Sequence, residues 1–190
     1  MRPALILLVD DTSVGVPGLT DDAETAQRLL TVALGHARQV PGVGRVLLFR
    51  PPEAESRLAR QALGFRLWPQ SGDSPGQRYA NAFSQAVELG YEGSLVMGLG
   101  AATLPVEAIS QALAVLHEHH GAVVGDGHGG IALLGLQEPQ PTLFSGTAVP
   151  TYAELRTRAA QQRVRLLELP EHETLTDGTL EGFLASTARR

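Results

Sequence analysis

Apolar runs of strand length alternate with stretches of helical periodicity along almost the whole chain. Ala4 to Val9, Val43 to Phe49, Phe65 to Trp68, Ser94 to Gly98, Ala122 to Gly125, Ile131 to Leu136 and Val164 to Leu169 read as strands. Most are apolar without alternation, the mark of strands covered on both faces. Between them lie helical patterns. The first is predicted to be capped by Thr20, with Asp21, Asp22 and Glu24 in its first turn, and it repeats apolar residues at Ala26, Leu29, Leu30, Ala33, Leu34 and Ala37. Others cover 51–63, the stretch from Ser74-Pro75 to Leu89 stopped by Gly90, 105–120, 151–162 and about 179–187. Strands separated by helices of this length make crossover units and a parallel sheet. One connection is too short for that: GDGHGG, residues 125–130, which predicts a hairpin. The expectation is an α/β fold, a three-layer α/β/α sandwich with a mostly parallel sheet and one antiparallel hairpin. One domain is expected to span 1–190.

Composition narrows the chemistry. The 190 residues are 43% hydrophobic and 18% charged, which excludes a disordered chain. A net charge of −5 gives no reason to expect nucleic acid or an anionic membrane as partner. No apolar run approaches a membrane span. The opening MRPALILLVDD reads as the first strand rather than a signal peptide, so the cytoplasm is the expected compartment. The chain holds no cysteine, which removes disulfides, thiolate nucleophiles and iron–sulfur clusters. It also holds no lysine, because all 15 basic residues are arginine; Schiff-base chemistry and a phosphate-loop lysine are therefore excluded.

In an open α/β sheet ligands bind beyond the carboxyl ends of the strands, so the loops there are the candidate sites. Asp10 and Asp11 follow the first strand and could bind a metal or ribose hydroxyls, or simply cap a loop in water. The stretch WPQSGDSPGQR, 68–78, carries Gly72 and Asp73 into a helix start. Free N–H groups there could cradle a phosphate or carbonyl, and Arg78 in the first turn opposes the helix dipole and needs a reason; a plain capped helix start is the other reading. Asp126 and His128 stand two residues apart in GDGHGG and could share a divalent metal, against a flexible turn that needs positive φ. Asp126 is expected to project from this turn with little to hold its rotamer. HEHH, 117–120, is read as cations facing the carbonyls of a helix end, away from the ligand edge. After the fourth strand stand Gly98, Leu99, Gly100, Ala101 and Ala102, with no side-chain heteroatom before Thr103.

In order, LLFRPPEA, WPQSGDSPGQRYANAF, GYEGSLVMGLGAATLP, AVVGDGHGGIALLGL, QPTLFSG and VRLLELP resemble the bacterial selenoprotein/radical-SAM-associated transferases. These are glycosyltransferase-A-like proteins, related to nucleotide-diphospho-sugar transferases and, more distantly, to 2-phospholactate guanylyltransferase. The likeness covers nearly the whole chain and is most specific in GQR at 76–78, LP at 104–105 and GG…LLGL across 129–136. It implies a cleft in which Asp10, Asp11, Gly72, Asp73, Arg78, Gly100 and Thr103 would meet a nucleotide, with Mg²⁺ or Mn²⁺ as cofactor if the protein is active.

The chain departs from that pattern at its charged positions. The family's Lys-Thr-Arg-Leu segment is missing after Pro17-Gly18. Counting back from Leu104-Pro105 puts Gly100 where the family has its metal-ligating Asp, and Leu99 where it has Ser. The family's Glu-Asp-Gly-Gly becomes Gly127-His128-Gly129-Gly130, its Trp-Ser-Thr becomes Val149-Pro150-Thr151, and its late Asp-Thr-x-x-Asp is echoed only by Asp177 to Glu181. Diphosphate needs cations beside it. The expectation is a degenerate transferase that binds a nucleotide or nucleotide sugar with little or no turnover and holds no metal in the free protein. Two alternatives stay open: an active glycosyl- or nucleotidyltransferase with a metal site rebuilt from Asp10, Asp11, Asp126 and His128, and a scaffold with an empty cleft.

Overall fold

The computed structural model describes residues 2–187. The elements are β1 (Pro3–Val9), α1 (Ala23–Gln39), β2 (Gly44–Phe49), α2 (Glu55–Gln61), β3 (Arg66–Pro69), α3 (Pro75–Glu88), β4 (Gly93–Gly98), α4 (Val106–Val115), β5 (Gly121–Gly125), β6 (Ile131–Leu136), α5 (Tyr152–Gln161), β7 (Leu166–Leu169) and α6 (Asp177–Thr187). The strands form one seven-stranded sheet in the order β3-β2-β1-β4-β6-β5-β7. Only β6 runs against the rest, paired antiparallel to β4 and to β5. The expected architecture is present: a mostly parallel sheet with one antiparallel hairpin and helices on both sides.

Side-chain alternation along β1 divides the interior in two. Leu5, Leu7 and Val9 enter a cluster with Leu29 and Leu34 of α1, Leu58 of α2, Ile109 of α4 and Leu184 of α6. Ala4 and Ile6 face the opposite cluster, with Tyr79 and Phe83 of α3, Phe144, and Leu155 of α5. Period-2 alternation sends neighbouring residues to opposite faces, and here both faces are apolar because both are covered.

Element ends differ from the pattern where side chains or tight turns intervene. Asp22, not Thr20, caps α1: its carboxylate accepts from the Thr25 N–H at 2.7 Å, while Thr20 Oγ1 accepts from the Asp22 N–H. The helix predicted over 51–63 is a 3₁₀ turn at Pro52–Ala54 followed by the short α2. Helix α4 stops at Val115 rather than 120. Three-residue turns follow, with Leu116, His117 and Glu118 N–H donating to Leu113, Ala114 and Val115. They free His120, whose Nδ1 accepts from the Arg165 N–H at 3.1 Å. Arginine forks close other helix ends. Arg45 of β2 donates to the Ala37, Arg38 and Val40 carbonyls at the end of α1, and Arg38 donates to those of Gln61 and Leu63 at the end of α2.

The position of β6 makes a test. Leu133 and Leu134 are adjacent and both fully buried, one in each cluster. Leu133→Ala and Leu134→Ala are each expected to cost about 2–5 kcal/mol in urea unfolding. A near-neutral result for either would be the behaviour of a strand with one exposed face.

Candidate functional site

The chain leaves β1 for β2 on one side of the sheet and returns from β3 to β4 on the other. The loops after β1 and β4 therefore diverge and leave a crevice at the carboxyl edge. The loop after β1 is held by its own hydrogen bonds: the Val16 N–H donates to Thr20 O at 2.7 Å, and the Leu19 and Thr20 N–H groups donate to Val16 O. Gly15 lies at φ +107°, and a Cβ there would stand 2.3 Å from Thr20 O, so only glycine closes this turn.

A cavity of about 180 Å³ opens in the crevice. Its walls are Val16 and Pro17 from the first loop, Leu8 of β1, Leu99 after β4, Tyr79 of α3 and Val149; Asp10, Gln70 and Arg78 bring the polar groups. Asp10 is 3.6 Å from Arg50 Nε, with both side chains nearly half exposed. The Arg78 guanidinium makes no hydrogen bond or ion pair among the described residues. Gln70 donates through Nε2 to the carbonyls of Val9 and Leu48, both at 3.0 Å, and so clamps the ends of β1 and β2. The Tyr79 hydroxyl donates to Val96 O at 3.3 Å, and its burial pushes the phenol up. Larger hollows lie elsewhere, two of them at about 620–630 Å³. One, between α1 and α6, is lined by Val32, His36 and Phe183; in the other, against α5 and β7, Arg156 and Glu168 are already paired at 2.8 Å.

The residues singled out from the sequence all stand at this edge, in different states. Asp10 and Arg78 share the cavity. Asp11 instead pairs with Arg57 of α2 and accepts from the Ser13 N–H at 2.9 Å. Burial pushes its carboxyl up, but the bonds from Arg57 and Ser13 and the Arg57 charge outweigh it and hold the group at about 2. Gly72 and Asp73 are exposed outside the cavity. The N–H groups at the start of α3 are not free: Gly76 donates to Thr147 O, Gln77 to Ser74 Oγ and Arg78 to Ser74 O, while Pro75 has none.

Gly100, Thr103, Asp126 and His128 lie beside the link between β7 and α6. That link, 170–176, crosses the strand ends as a strap. His172 N–H donates to Gly125 O at 3.0 Å, Thr174 N–H to Asp126 O at 3.3 Å and Leu175 N–H to Gly100 O at 2.9 Å. Thr103 Oγ1 donates to Glu173 O, and His172 Nε2 donates to Thr103 O at 3.0 Å. Asp126 is not loose, as its glycine neighbours suggested. Its Oδ1 accepts from the His128 N–H at 2.8 Å and the Gly130 N–H at 2.7 Å. A Cβ at Gly130 would stand 2.3 Å from Asp126 Oδ2, so the carboxylate itself explains that glycine. The exposed His128 makes contact through its backbone N–H.

Sequence reasoning passed over Gln70, Arg50, Arg57 and Tyr79. The first two were legible as polar residues directly after β3 and β2, at the ligand edge. Tyr79 reads as a core position, and the Asp11–Arg57 pair spans 46 residues, a distance no local pattern shows.

A divalent cation of this fold would need about six oxygen ligands in a defined geometry. Gly100 offers no side chain, and a Cβ there would meet Leu19 Cδ1 at 3.6 Å and Leu175 O at 3.8 Å. Asp126 Oδ1 is engaged by two N–H groups, and no group of three His, Asp or Glu side chains among the described residues is placed to hold a metal ion. The residues present do not fit a Mg²⁺ or Mn²⁺ site.

The fold is that of nucleotide-diphospho-sugar transferases and cytidylyltransferases. A candidate nucleotide-diphospho-sugar transferase from Desulfovibrio desulfuricans G20 superposes with a TM-score of 0.84 at 18% identity, over 100% of this chain and 89% of that one. A 4-diphosphocytidyl-2C-methyl-D-erythritol synthase from Anaerococcus prevotii DSM 20548 gives 0.68 at 8% identity, covering 100% and 96%. A CMP:2-keto-3-deoxy-manno-octonic acid synthetase complexed with CTP gives 0.64 at 13% identity, covering 100% and 99%. No protein of curated function matches the chain in sequence. The chain belongs to the family described as uncharacterized protein conserved in bacteria (DUF2064), whose sequence profile matches residues 31–151. Among the described residues no helix is long and apolar enough to cross a membrane.

Two measurements check this account. Titration calorimetry of the free protein with Mn²⁺ is expected to show no micromolar binding; a micromolar site lost in Asp126→Ala would show that these residues do hold the ion. The depressed Asp11 pKa stabilises the fold above about pH 4 and ceases to do so as the pH falls through about 2. Wild type is therefore expected to exceed Asp11→Asn in stability at pH 6, with the gap closing over that acid window; a pH-independent gap would place the effect elsewhere.

Proposed function

We propose that the protein is a degenerate member of the nucleotide-diphospho-sugar transferase fold that binds a nucleotide-type ligand in the Asp10–Arg78 cavity with little or no turnover. The observation that carries the reading is Arg78. It is a guanidinium in the first turn of a helix, against the dipole, lining an apolar cavity and left without a partner among the described residues. Opposite charges at Asp10 and Arg78 match the donor and acceptor edges of a heterocyclic base, and Pro17, Leu99 and Val149 match its faces. The turnover machinery lacks support, because the metal position holds Gly100, Asp11 is spent on Arg57 and Asp126 is spent on its own turn.

On this reading residues 1–190 act as one glycosyltransferase-A-like domain in the cytoplasm. The closer tie to selenoprotein/radical-SAM-associated transferases rests on the GQR, LP and GG…LLGL segments. The test is a thermal-shift screen of nucleosides, nucleotides and nucleotide sugars. A ligand at a hundred times its dissociation constant adds about 2.7 kcal/mol, a shift of several degrees for a chain of this size. At least one is expected to shift the melting temperature, Arg78→Ala to weaken it about tenfold or more, and none to be hydrolysed. Diphosphate or nucleotide release abolished by Asp126→Ala would establish the rebuilt enzyme instead, and binding unaffected by Arg78→Ala would move the ligand out of this cavity.

A further inference from the structure

The cavity and the strap narrow the ligand class beyond that reading, on which this inference rests. A volume of about 180 Å³ is below the roughly 300–1,000 Å³ of sites that enclose drug-sized ligands. Its walled part has the size of a heterocycle rather than of a whole nucleotide sugar. From Leu99 the crevice runs along the strand ends towards β4 and β5. That direction is closed. Leu19 and Leu175 O flank Gly100, Leu175 is buried in the core, and the strap ties the loop after β4 to the turn after β5 through three backbone hydrogen bonds.

The closed side is also acidic. A Cβ on Gly125 would stand 3.1 Å from Glu171 Oε1, and one on Gly127 would stand 3.1 Å from Glu173 Cγ, so both strap glutamates lie on the 125–130 turn beside Asp126. Across Leu19, the carboxylates of Asp21, Asp177 and Glu181 line one hollow. Arg78 is the one cation of the cavity lining. A chain of phosphates entering here would meet carboxylates with no metal between them.

We propose that the cavity takes a nucleoside-type heterocycle and discriminates against its polyphosphate, with Leu19 and the strap 170–176 acting as a built-in plug where a diphosphate would lie. The ligand is a base with its sugar, carrying at most the single negative charge that Arg78 can meet.

The experiment is calorimetric titration of the intact protein with adenosine, guanosine, cytidine and uridine, and with the four 5′-triphosphates, with and without Mg²⁺. At least one nucleoside is expected to bind, its triphosphate to bind about tenfold or more weakly, and Mg²⁺ not to reverse the order. A triphosphate that binds as tightly as its nucleoside overturns the plug while leaving the binding site itself intact. Failure of all eight to bind overturns this inference, and the proposed function falls with it only if the nucleotide sugars also fail to shift the melting temperature. The double variant Glu171→Gln/Glu173→Gln is expected to leave the nucleoside affinity unchanged and to narrow the gap at least threefold. An unchanged gap would overturn the assignment of the discrimination to the strap.

Discussion

Three carbonyl oxygens at the carboxyl edge, those of Gly100, Gly125 and Asp126, take their hydrogens from the chain's own residues 172–175. A buried acceptor without a partner costs free energy comparable to a lost hydrogen bond, so these strand ends need a source of donors. The strap is that source. Its course delivers Leu175, and then Leu180 and Leu184 of α6, into the cluster beneath α1 and α4. The loop after β4 can be glycine and alanine because the backbone of another segment, not a side chain of its own, satisfies it. The same arrangement decides how much of the crevice stays open.

What remains open is framed by two arginine–aspartate contacts of different character. Arg57 draws Asp11 out of the crevice and into a partly buried pair with α2. Arg50 stands farther from Asp10 and leaves that carboxylate half exposed at the rim. Adjacent residues of one loop thus divide between holding the loop and facing the cavity. The absence of lysine suits this use, since the guanidinium fork bonds several oxygens from a fixed plane, as Arg45 does with three carbonyls at the end of α1.

Much of the architecture was legible in the sequence because apolar runs and helical periods report burial directly. The strand Ile131–Leu136 has the bounds its pattern predicts, and the short GDGHGG link announces the antiparallel neighbour. Where the pattern misplaced an end, a local bond decided: Asp22 over Thr20 as the cap of α1, and three-residue turns after Val115. The candidate site was legible only in part. Asp10 and Arg78 stood out by position and by an awkward charge. The roles of Asp11 and Asp126 depend on Arg57, far along the chain, and on which way one carboxylate turns in its loop. The strap left no periodic signal, because the bonds that tie it to Gly100, Gly125 and Asp126 are backbone bonds that any residue except proline can make.

The place of β6 between β4 and β5 has a consequence for assembly. Its pairing with β5 closes a loop of a few residues, whereas its pairing with β4 must span α4, and the pairing of β1 with β4 must span α1 to α3. Loop-closure entropy favours the short loop, so the hairpin 121–136 is the early local structure and the junction of β4 with β6 joins it to the β1–β4 half of the sheet. Until that junction forms, the hairpin presents an open edge and two apolar faces at once, the features that invite pairing with another chain. The pairing of β4 with β6 removes that open edge.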